Sequence, residues 1–417
     1  MARAHRSRLR RARRLALRAG AVGVAGQLGL AAALTGVDAV RKRRPADSPG
    51  VDRDAPVATE VGSTRVTTYT YGEHLYEAML EAIEQAERYV YLASYIWKGD
   101  ATGQRFKDAL HAAAARGVRV CLVFDGFANL VVPREFKRFP PELHLLRFPV
   151  LRAGLPLADL RRTGRDHRKV LVVDGRVGFV GGYNIGSLYA THWRDTHVRL
   201  EGPAVWELEN SFTDFWNRHR RRGMPVLPDR GAPGWDHRIR AARNEPSRLL
   251  FPVRGLYLDA VDRATERVWI TQGYFIPDRE ILQALLLAAQ RGVDVRVITP
   301  AASNHVVADW VARSYFTPLL RGGVRIFLYE NAMVHAKTAT VDGQWTTVGT
   351  ANIDRLSLIG NYEINLEIQD PGQAARMEEV FLRDLRNCRE LTLGEWESRG
   401  VLPRVTERVL APLRVVL

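Results

Sequence analysis

The sequence predicts an α/β fold built from two pseudo-symmetric half-domains, each a mixed β-sheet flanked by helices. First, the pattern H-x-K-x4-D occurs at residues 167–174 and again at residues 335–342. Second, the run Arg-Gly-Val-Arg-Val at residues 116–120 recurs as Arg-Gly-Val-Asp-Val at residues 291–295, at nearly the same spacing. Third, apolar strand-like runs alternate with stretches of helical periodicity in the same order in both halves. A duplicated half-domain accounts for all three observations.

The two cassettes agree well beyond their reactive residues. Each histidine is followed, at the same distances, by two small residues, an asparagine and a carboxylate. These residues are Gly181, Gly182, Asn184 and Asp195 in the first copy, and Gly349, Thr350, Asn352 and Glu363 in the second. One such cassette can arise by chance, but two copies that match at these further positions indicate a duplication. Such a duplication would serve a reaction that needs two imidazoles at one site.

The first half-domain is expected to span residues 61–222 and the second residues 249–417, with a Pro-, Gly- and Arg-rich linker at 223–248. The predicted elements of the first half are a helix at 75–87, a strand at 88–97, a helix at 106–116, a strand at 118–124 and a hairpin at 170–180. Those of the second are a strand at 267–276, a helix at 281–291, a strand at 293–299, a hairpin at 338–348 and a C-terminal helix at 372–389. Each hairpin turns at an Asp-Gly pair, which is typical of tight turns.

Residues 1–60 form a basic N-terminal segment that differs in character from both halves. Residues 1–18 contain eight arginines, residues 19–37 are mostly Ala, Gly, Val and Leu, and residues 45–60 resemble a linker. The apolar stretch is barely long enough to span a bilayer. A weak membrane anchor, an amphipathic interfacial helix, a signal-like segment and a disordered basic tail all fit this pattern, and we expect membrane association.

Composition limits the partners more than the fold. The chain has 417 residues, 46% of them hydrophobic, and a formal net charge of +15. A basic surface suits anionic lipid headgroups, a membrane surface or nucleic acid, although an arginine-rich proteome would give the same charge. The two cysteines are too few for a disulfide framework or a cysteine-type zinc site.

The cassettes predict a phosphate-binding pocket. A histidine and a lysine two positions apart on a strand point to the same face, so two such strands bring two imidazoles and two ammonium groups together. One neutral histidine can attack the phosphorus of a phosphodiester and form a phosphohistidine. The other can protonate the departing alcohol and then take a proton from the incoming nucleophile. This chemistry needs no metal and no cofactor. The residues that would form the pocket are His167, Lys169, Asn184, His335, Lys337 and Asn352.

The motif segments resemble the phospholipase D superfamily, and within it the bacterial cardiolipin synthases. The resemblance rests on residues 167–186, 193–205, 335–342 and 349–357, and covers about residues 65–410. It implies two phospholipase D-type half-domains with the active site at their interface. The catalytic motif residues it implies are His167, Lys169, Asp174, His335, Lys337 and Asp342.

The resemblance also implies roles within that motif. His167 would be the nucleophile, Glu363 would orient His335 and, by the symmetry of the repeat, Asp195 would orient His167. Asp174 and Asp342 precede glycines in turns, so we expect them to stabilise structure rather than react. Histidines 192, 197 and 305 have weaker claims to a role, and Tyr95, Trp97 and Tyr274 could line a headgroup groove or belong to the core.

The pocket predicts phosphodiester transfer, and the resemblance implies its substrates. Similar synthases move a phosphatidyl group from one phosphatidylglycerol to the hydroxyl of another and release glycerol. A phospholipase D that hydrolyses phospholipids to phosphatidic acid and a metal-independent phosphodiesterase or nuclease are the alternatives, with nucleic acid the less expected partner. The expected location is a bacterial cell membrane, reached peripherally or through a single N-terminal anchor.

Overall fold

The computed structural model describes residues 27, 29–37, 51–149, 164–232, 234 and 236–415. Helix α1 covers residues 29–37. The helices of the first half are α2 (Gly72–Glu84), α3 (Ala101–Ala115), α4 (Ser187–Thr191) and α5 (Val205–His219). Its strands are β1 (Val57–Val61), β2 (Thr64–Tyr69), β3 (Tyr89–Ser94), β4 (Arg119–Asp125), β5 (His144–Phe148), β6 (Val170–Val173), β7 (Val177–Gly181), β8 (Trp193–Arg194) and β9 (His197–Glu201).

The second half repeats this series with additions at its C-terminal end. Its strands are β10 (Ile239–Asn244), β11 (Arg267–Gln272), β12 (Asp294–Pro300), β13 (Arg325–Tyr329), β14 (Met333–Val334), β15 (Lys337–Val341), β16 (Trp345–Gly349), β17 (Glu363–Gln369) and β18 (Cys388–Leu391). Its helices are α6 (Pro252–Arg263), α7 (Arg279–Gln290), α8 (Val306–Arg313), α9 (Phe316–Arg321), α10 (Arg355–Ile359), α11 (Pro371–Asp384), α12 (Leu393–Glu397) and α13 (Val401–Leu410).

Two eight-stranded mixed sheets have the same internal order, which confirms the predicted fold. The first runs β1-β2-β9-β7-β6-β3-β4-β5 and the second β10-β17-β16-β15-β11-β12-β13-β18. In each, the strand after the first long helix pairs in parallel with the next strand and antiparallel with the strand of the cassette. The two orders coincide when β2 is aligned with β10, which leaves β1 and β18 as extra strands at opposite edges. β6 and β15 are then at equivalent positions, so the cassettes occupy the same place in both sheets.

Local sequence explains why the repeated elements begin and end alike. The side chains of Asp100 and Asp278 accept backbone N–H groups at the starts of α3 and α7. Gly117 and Gly292, which follow these helices, both have φ of 89°. That left-handed conformation is open to glycine at little cost and ends a helix. The predicted break at each glycine is confirmed.

The two halves share one core and are joined by short strands. A buried cluster combines Val180 and Val198 of the first sheet with Val348, Ile364 and Leu366 of the second. Strands β8 and β14 also pair across the boundary, with Met333 opposite Trp193. Because the halves pack through a common apolar layer, the cassettes at their boundary are held in fixed relative positions.

Three predicted boundaries were wrong. Residues 239–244, assigned to the linker, form edge strand β10, whose pairing with β17 extends the second sheet. Residues 57–60, also assigned to a linker, belong to β1, which pairs with β2. The C-terminal helix ends at Asp384, and residues 388–391 form β18 beside β13. All three strands are short edge strands that contain charged residues, so their apolar pattern is weak in the sequence.

The N-terminal apolar stretch falls only partly within the described residues, because residues 19–26 lie outside them. Leu30, Ala31 and Leu34 of α1 pack against a cluster that includes Val311 of α8 and Leu410 of α13. Among the helices that the structure describes, none combines the length and apolar character needed to cross a membrane.

Candidate active site

Both cassette histidines line one cavity of about 370 Å³ between the two halves. The first half also contributes Tyr95, Asn184 and Trp193 to its wall, and the second contributes Tyr274 and Asn352. The histidines are largely buried, at 8% exposure for His167 and 4% for His335. The predicted convergence of two imidazoles on one pocket therefore agrees with the geometry.

The His167 imidazole is held by the opposite half of the chain. Its Nδ1 lies 2.9 and 3.0 Å from the two carboxylate oxygens of Glu363. The backbone N–H of His167 donates to the carbonyl oxygen of Tyr362 at 3.0 Å. Glu363 is fully buried and also accepts a 2.6 Å hydrogen bond from the Thr350 hydroxyl. The carboxylate fixes Nδ1 as the protonated nitrogen, so Nε2 carries the lone pair.

The His335 imidazole is held by the equivalent contacts from the first half of the chain. Its Nδ1 lies 2.6 Å from Oδ2 of Asp195, and its backbone N–H donates to the carbonyl oxygen of Arg194 at 2.7 Å. The other oxygen of Asp195 accepts the backbone N–H of Thr196 at 2.7 Å. A carboxylate with two donors is held in one orientation, and it therefore holds the imidazole ring in turn.

The predicted partners of the histidines were therefore exchanged. The expectation was Glu363 with His335 and Asp195 with His167, but each carboxylate bonds the histidine of the other half. The repeat relates His167 to His335 and Asp195 to Glu363, so same-half and crossed pairing are equally symmetric. Sequence symmetry cannot separate them. The backbone bonds to Tyr362 and Arg194 decide, because the residue after each of these is the carboxylate.

The small residues after each cassette leave room for these carboxylates. A Cβ on Gly182 would lie 2.1 Å from Oδ1 of Asp195, and one on Gly181 would lie 2.3 Å from the carbonyl oxygen of Thr196. At the second copy, a Cβ on Gly349 would lie 2.3 Å from Oδ1 of Asn365. Thr350 replaces the second glycine and uses its hydroxyl to bond Glu363. The four supporting positions thus shape the two carboxylate sites.

The cassette lysines supply buried positive charge. Lys169 donates from Nζ to the carbonyl oxygen of His167 at 2.6 Å, and Lys337 donates in the same way to His335. Burial lowers the pKa of Lys169 to about 7 and that of Lys337 to about 8, against the opposing effect of Asp195 and Glu363. Each ammonium has further N–H donors for an anionic oxygen. Neither lysine is among the residues that line the cavity, and a bound phosphate within reach would favour the charged form of both.

Burial also sets the charge state of the imidazoles. It lowers the pKa of His167 despite the nearby Glu363 carboxylate. Burial and the neighbouring ammonium of Lys337 hold the pKa of His335 well below its ordinary value. Without a bound anion, both rings are therefore neutral near pH 7, the state that a nucleophile requires. A bound phosphodiester carries the negative charge that favours protonating one of them.

Asp174 and Asp342 lie in the hairpin turns, where φ is 54° and 52°. Asp174 accepts the backbone N–H groups of residues 87–89 at 2.8–2.9 Å, and Asp342 those of residues 265–267 at the same distances. These bonds favour the structural role expected for both aspartates, and neither is among the residues that line the cavity. Their partners are at the starts of β3 and β11 rather than within their own turns, so each joins a hairpin to the neighbouring strand.

The two asparagines occupy equivalent places in the cavity wall. Oδ1 of Asn184 accepts a hydrogen bond from the backbone N–H of Ile96 at 3.2 Å, and this bond fixes the orientation of the side-chain amide. Oδ1 of Asn352 is buried and has no hydrogen-bond partner among the described residues. The side-chain N–H groups of amides in this wall are suited to donate to non-bridging phosphate oxygens.

Several wall residues were given little weight from the sequence. Tyr95 packs edge-on against His167 with ring centroids 4.5 Å apart, and Trp193 packs against His335 at 4.9 Å. His305 also lines the cavity, whereas Trp97 packs in the core against Phe136 and Phe139. The matching strand ends at residues 95 and 274 were the available signal for Tyr95 and Tyr274. Trp193 begins the resemblance segment at residues 193–205 and His305 is one of the weaker candidates, but nothing in the local sequence placed either residue at the cavity.

Among the described residues, no group of three or more His, Cys, Asp or Glu side chains is arranged to hold a metal ion. Each cassette histidine already gives Nδ1 to a carboxylate, which leaves one nitrogen per ring directed to substrate.

Two repeated half-domains, each bringing a histidine to one cavity with a crossed carboxylate on its ring and a buried lysine on its carbonyl oxygen, define an enzyme of the phospholipase D type. The family model described as "Cardiolipin synthase, PLD-like domain" matches the chain twice, at residues 79–216 and 257–385. The chain belongs to this family of cardiolipin synthase-like phosphatidyltransferases.

Known proteins of two kinds resemble the chain. A cardiolipin synthase of Clostridium perfringens strain 13 is 32% identical over 84% of this chain and 76% of its own length. One of Listeria monocytogenes serotype 4b is 30% identical over 86% of this chain and 77% of its own length. In fold, the crystal structure of phosphatidylserine synthase from Haemophilus influenzae Rd KW20 matches with a TM-score of 0.64 and 14% identity, over 89% of this chain and 95% of the other.

Proposed function

We propose that this enzyme moves a phosphatidyl group from one phosphatidylglycerol to another, through a phosphohistidine, and releases glycerol. The observation that carries the proposal is the single cavity lined by His167 and His335, each with a buried carboxylate on Nδ1. The named activity of the relatives, which align over more than four fifths of this chain, supports the choice of phosphatidyl transfer. The identity of both lipids is part of the proposal.

In the first step, Nε2 of His167 attacks the phosphorus of the donor lipid. An N–P bond forms as the bond from phosphorus to the glycerol oxygen breaks, and protonated His335 gives its proton to that oxygen. Glu363 stabilises the positive charge that develops on the His167 ring. The ammonium groups of Lys169 and Lys337 stabilise the non-bridging oxygens.

In the second step, the hydroxyl of the acceptor lipid gives its proton to His335. Its oxygen attacks phosphorus, the N–P bond breaks, and His167 returns to its neutral form. The assignment of His167 as the nucleophile follows the resemblance to the family.

We also propose that the enzyme works at a bacterial membrane surface, where both substrates reside. The apolar helix α1 supports this, because Thr35 lines the same cavity as the two histidines. The basic residues of the N-terminal segment would be attracted to anionic lipid headgroups. Peripheral association and anchoring through this one segment both fit this arrangement.

Product analysis tests the proposal. Full-length protein and vesicles of phosphatidylglycerol should yield cardiolipin and glycerol, measured by mass spectrometry and an enzymatic glycerol assay. Phosphatidic acid without cardiolipin would make the enzyme a hydrolase, and metal-independent cleavage of an oligonucleotide in place of lipid turnover would make it a nuclease.

Samples quenched in detergent at mildly alkaline pH test the intermediate. The wild-type enzyme should contain a phosphoenzyme that is lost on later acid treatment, His167→Asn should lack it, and His335→Asn should retain it. The opposite pattern in the two variants would exchange the roles of the histidines.

A further inference from the structure

The cavity wall contains a carboxylate that breaks the symmetry of the two halves. Asp354 lines the cavity together with His167 and His335 and is 8% exposed. Asp354 is the nineteenth residue after His335, and the nineteenth residue after His167 is Gly186. The first half therefore places no side chain at the equivalent position, and the carboxylate belongs to one side of the site only.

A structural role accounts for one oxygen of this carboxylate. Asp354 is the N-cap of α10, and its Oδ1 accepts the backbone N–H of Ser357 at 2.7 Å. Serine, threonine and asparagine perform the same capping function nearly as well. Capping alone does not require a full carboxylate in the wall of a phosphate site, where its charge opposes binding of the anion.

The surroundings indicate what the second oxygen meets. Burial raises the pKa of Asp354 to about 7, although the Ser357 contacts and the Lys337 ammonium oppose this rise. Tyr95 and Tyr274, one from each half, line the same cavity, and the Asp354 charge contributes to raising the pKa of both tyrosines. A group of this kind repels the phosphate but both accepts and donates hydrogen bonds with hydroxyl groups.

We propose that Asp354 forms a hydroxyl-binding subsite that recognises the polyol headgroup of the acceptor and so favours an alcohol over water. The inference rests on the proposed phosphatidyl transfer and specifies its acceptor class, a vicinal diol. One hydroxyl attacks phosphorus while its neighbour bonds the carboxylate. Water and simple alcohols have no second hydroxyl for this contact. Asp354 is thus a specificity residue and takes no proton in the transfer.

Acceptor competition tests this subsite. The full-length enzyme is incubated with vesicles of phosphatidylglycerol and equal concentrations of 1,2-propanediol and 1-propanol. Mass spectrometry then quantifies the two phosphatidyl products and phosphatidic acid. We expect the wild-type enzyme to prefer the diol. The preference should fall by at least about tenfold in Asp354→Ser, because one hydrogen bond to a charged group is lost. The share of phosphatidic acid should rise.

Two further variants separate recognition from folding. Asp354→Asn keeps both the shape and the helix cap but loses the charge, so its preference should lie between wild type and Asp354→Ser. Asp370→Asn is the matched control, because Asp370 caps α11 through the N–H of Gln373 at 3.0 Å and does not line the cavity. Its product ratio should equal that of the wild type. Product ratios are internal to each sample, so a smaller folded fraction leaves them unchanged.

The outcomes are distinguishable from failure of the proposed function. If the wild-type enzyme forms no phosphatidyl transfer product, the proposed function itself is wrong. If it does so and both Asp354 variants keep the wild-type diol preference and share of phosphatidic acid, the subsite is overturned.

Discussion

The crossed pairing of histidines and carboxylates predicts a coupling in the free energy of unfolding, which can be measured without an activity assay. A double-mutant cycle combines His167→Ala with Glu363→Gln, and a second combines His335→Ala with Asp195→Asn. Each cycle removes a histidine and, separately, the negative charge of its observed partner. The coupling free energy is the part of the destabilisation that the two single changes do not give additively.

The magnitude follows from the geometry of the first pair. One N–H of His167 is shared between carboxylate oxygens at 2.9 and 3.0 Å, so it counts as one hydrogen bond to a charged group. Such a bond contributes about 1.5–3 kcal/mol, and a neutral one about 0.5–1.5 kcal/mol. The amide of Glu363→Gln still offers a neutral acceptor, so the expected coupling is about 1–2 kcal/mol. Solvent screening is small because Glu363 is fully buried.

Urea unfolding at pH 8 provides the assay, since both imidazoles are then neutral and act as N–H donors. The same-half combinations, Glu363→Gln with His335→Ala and Asp195→Asn with His167→Ala, are the controls. They should couple by about 0.5 kcal/mol or less. Larger coupling within the halves than across them would refute the crossed arrangement.

Three further predictions follow from the site and its supports. Affinity for tungstate, measured by calorimetry, should weaken by at least about tenfold from pH 6.5 to pH 9, because Lys169 and Lys337 lose their charge above pKa values of about 7 and about 8; unchanged affinity would contradict their role. Gly182→Ala should destabilise the fold by about 1–3 kcal/mol and abolish turnover, because its Cβ would meet Asp195 at 2.1 Å; Gly255→Ala, in open space within α6, is the control and should be neutral or stabilising on thermal unfolding. Asp342→Asn should cost about 2 kcal/mol of stability while turnover per folded molecule stays the same, because the amide keeps one acceptor oxygen where the carboxylate had two; a selective loss of turnover would give Asp342 a chemical role.

The sequence was most informative where duplication repeated a signal. The paired cassettes, the matched glycines at 117 and 292 and the Asp-Gly turns predicted the two sheets and the convergence of the histidines. These features depend on local periodicity and turn chemistry, which a single chain expresses directly.

The crossed carboxylates could not be predicted in the same way. Pairing of Glu363 with His167 depends on how the halves dock, and a symmetric repeat is compatible with either arrangement. Edge strand β10 was missed because its neighbours are rich in turn residues. Asp354 was passed over because it falls within a matched motif segment, where only the comparison with Gly186 reveals the asymmetry.

The central claim is that the two histidines act on one phosphorus atom, and anomalous scattering from tungstate-soaked crystals tests it most directly. One tungsten per chain is expected, with oxygens within roughly 3 Å of Nε2 of both His167 and His335. Two separate tungsten positions, each beside one histidine, would contradict the claim.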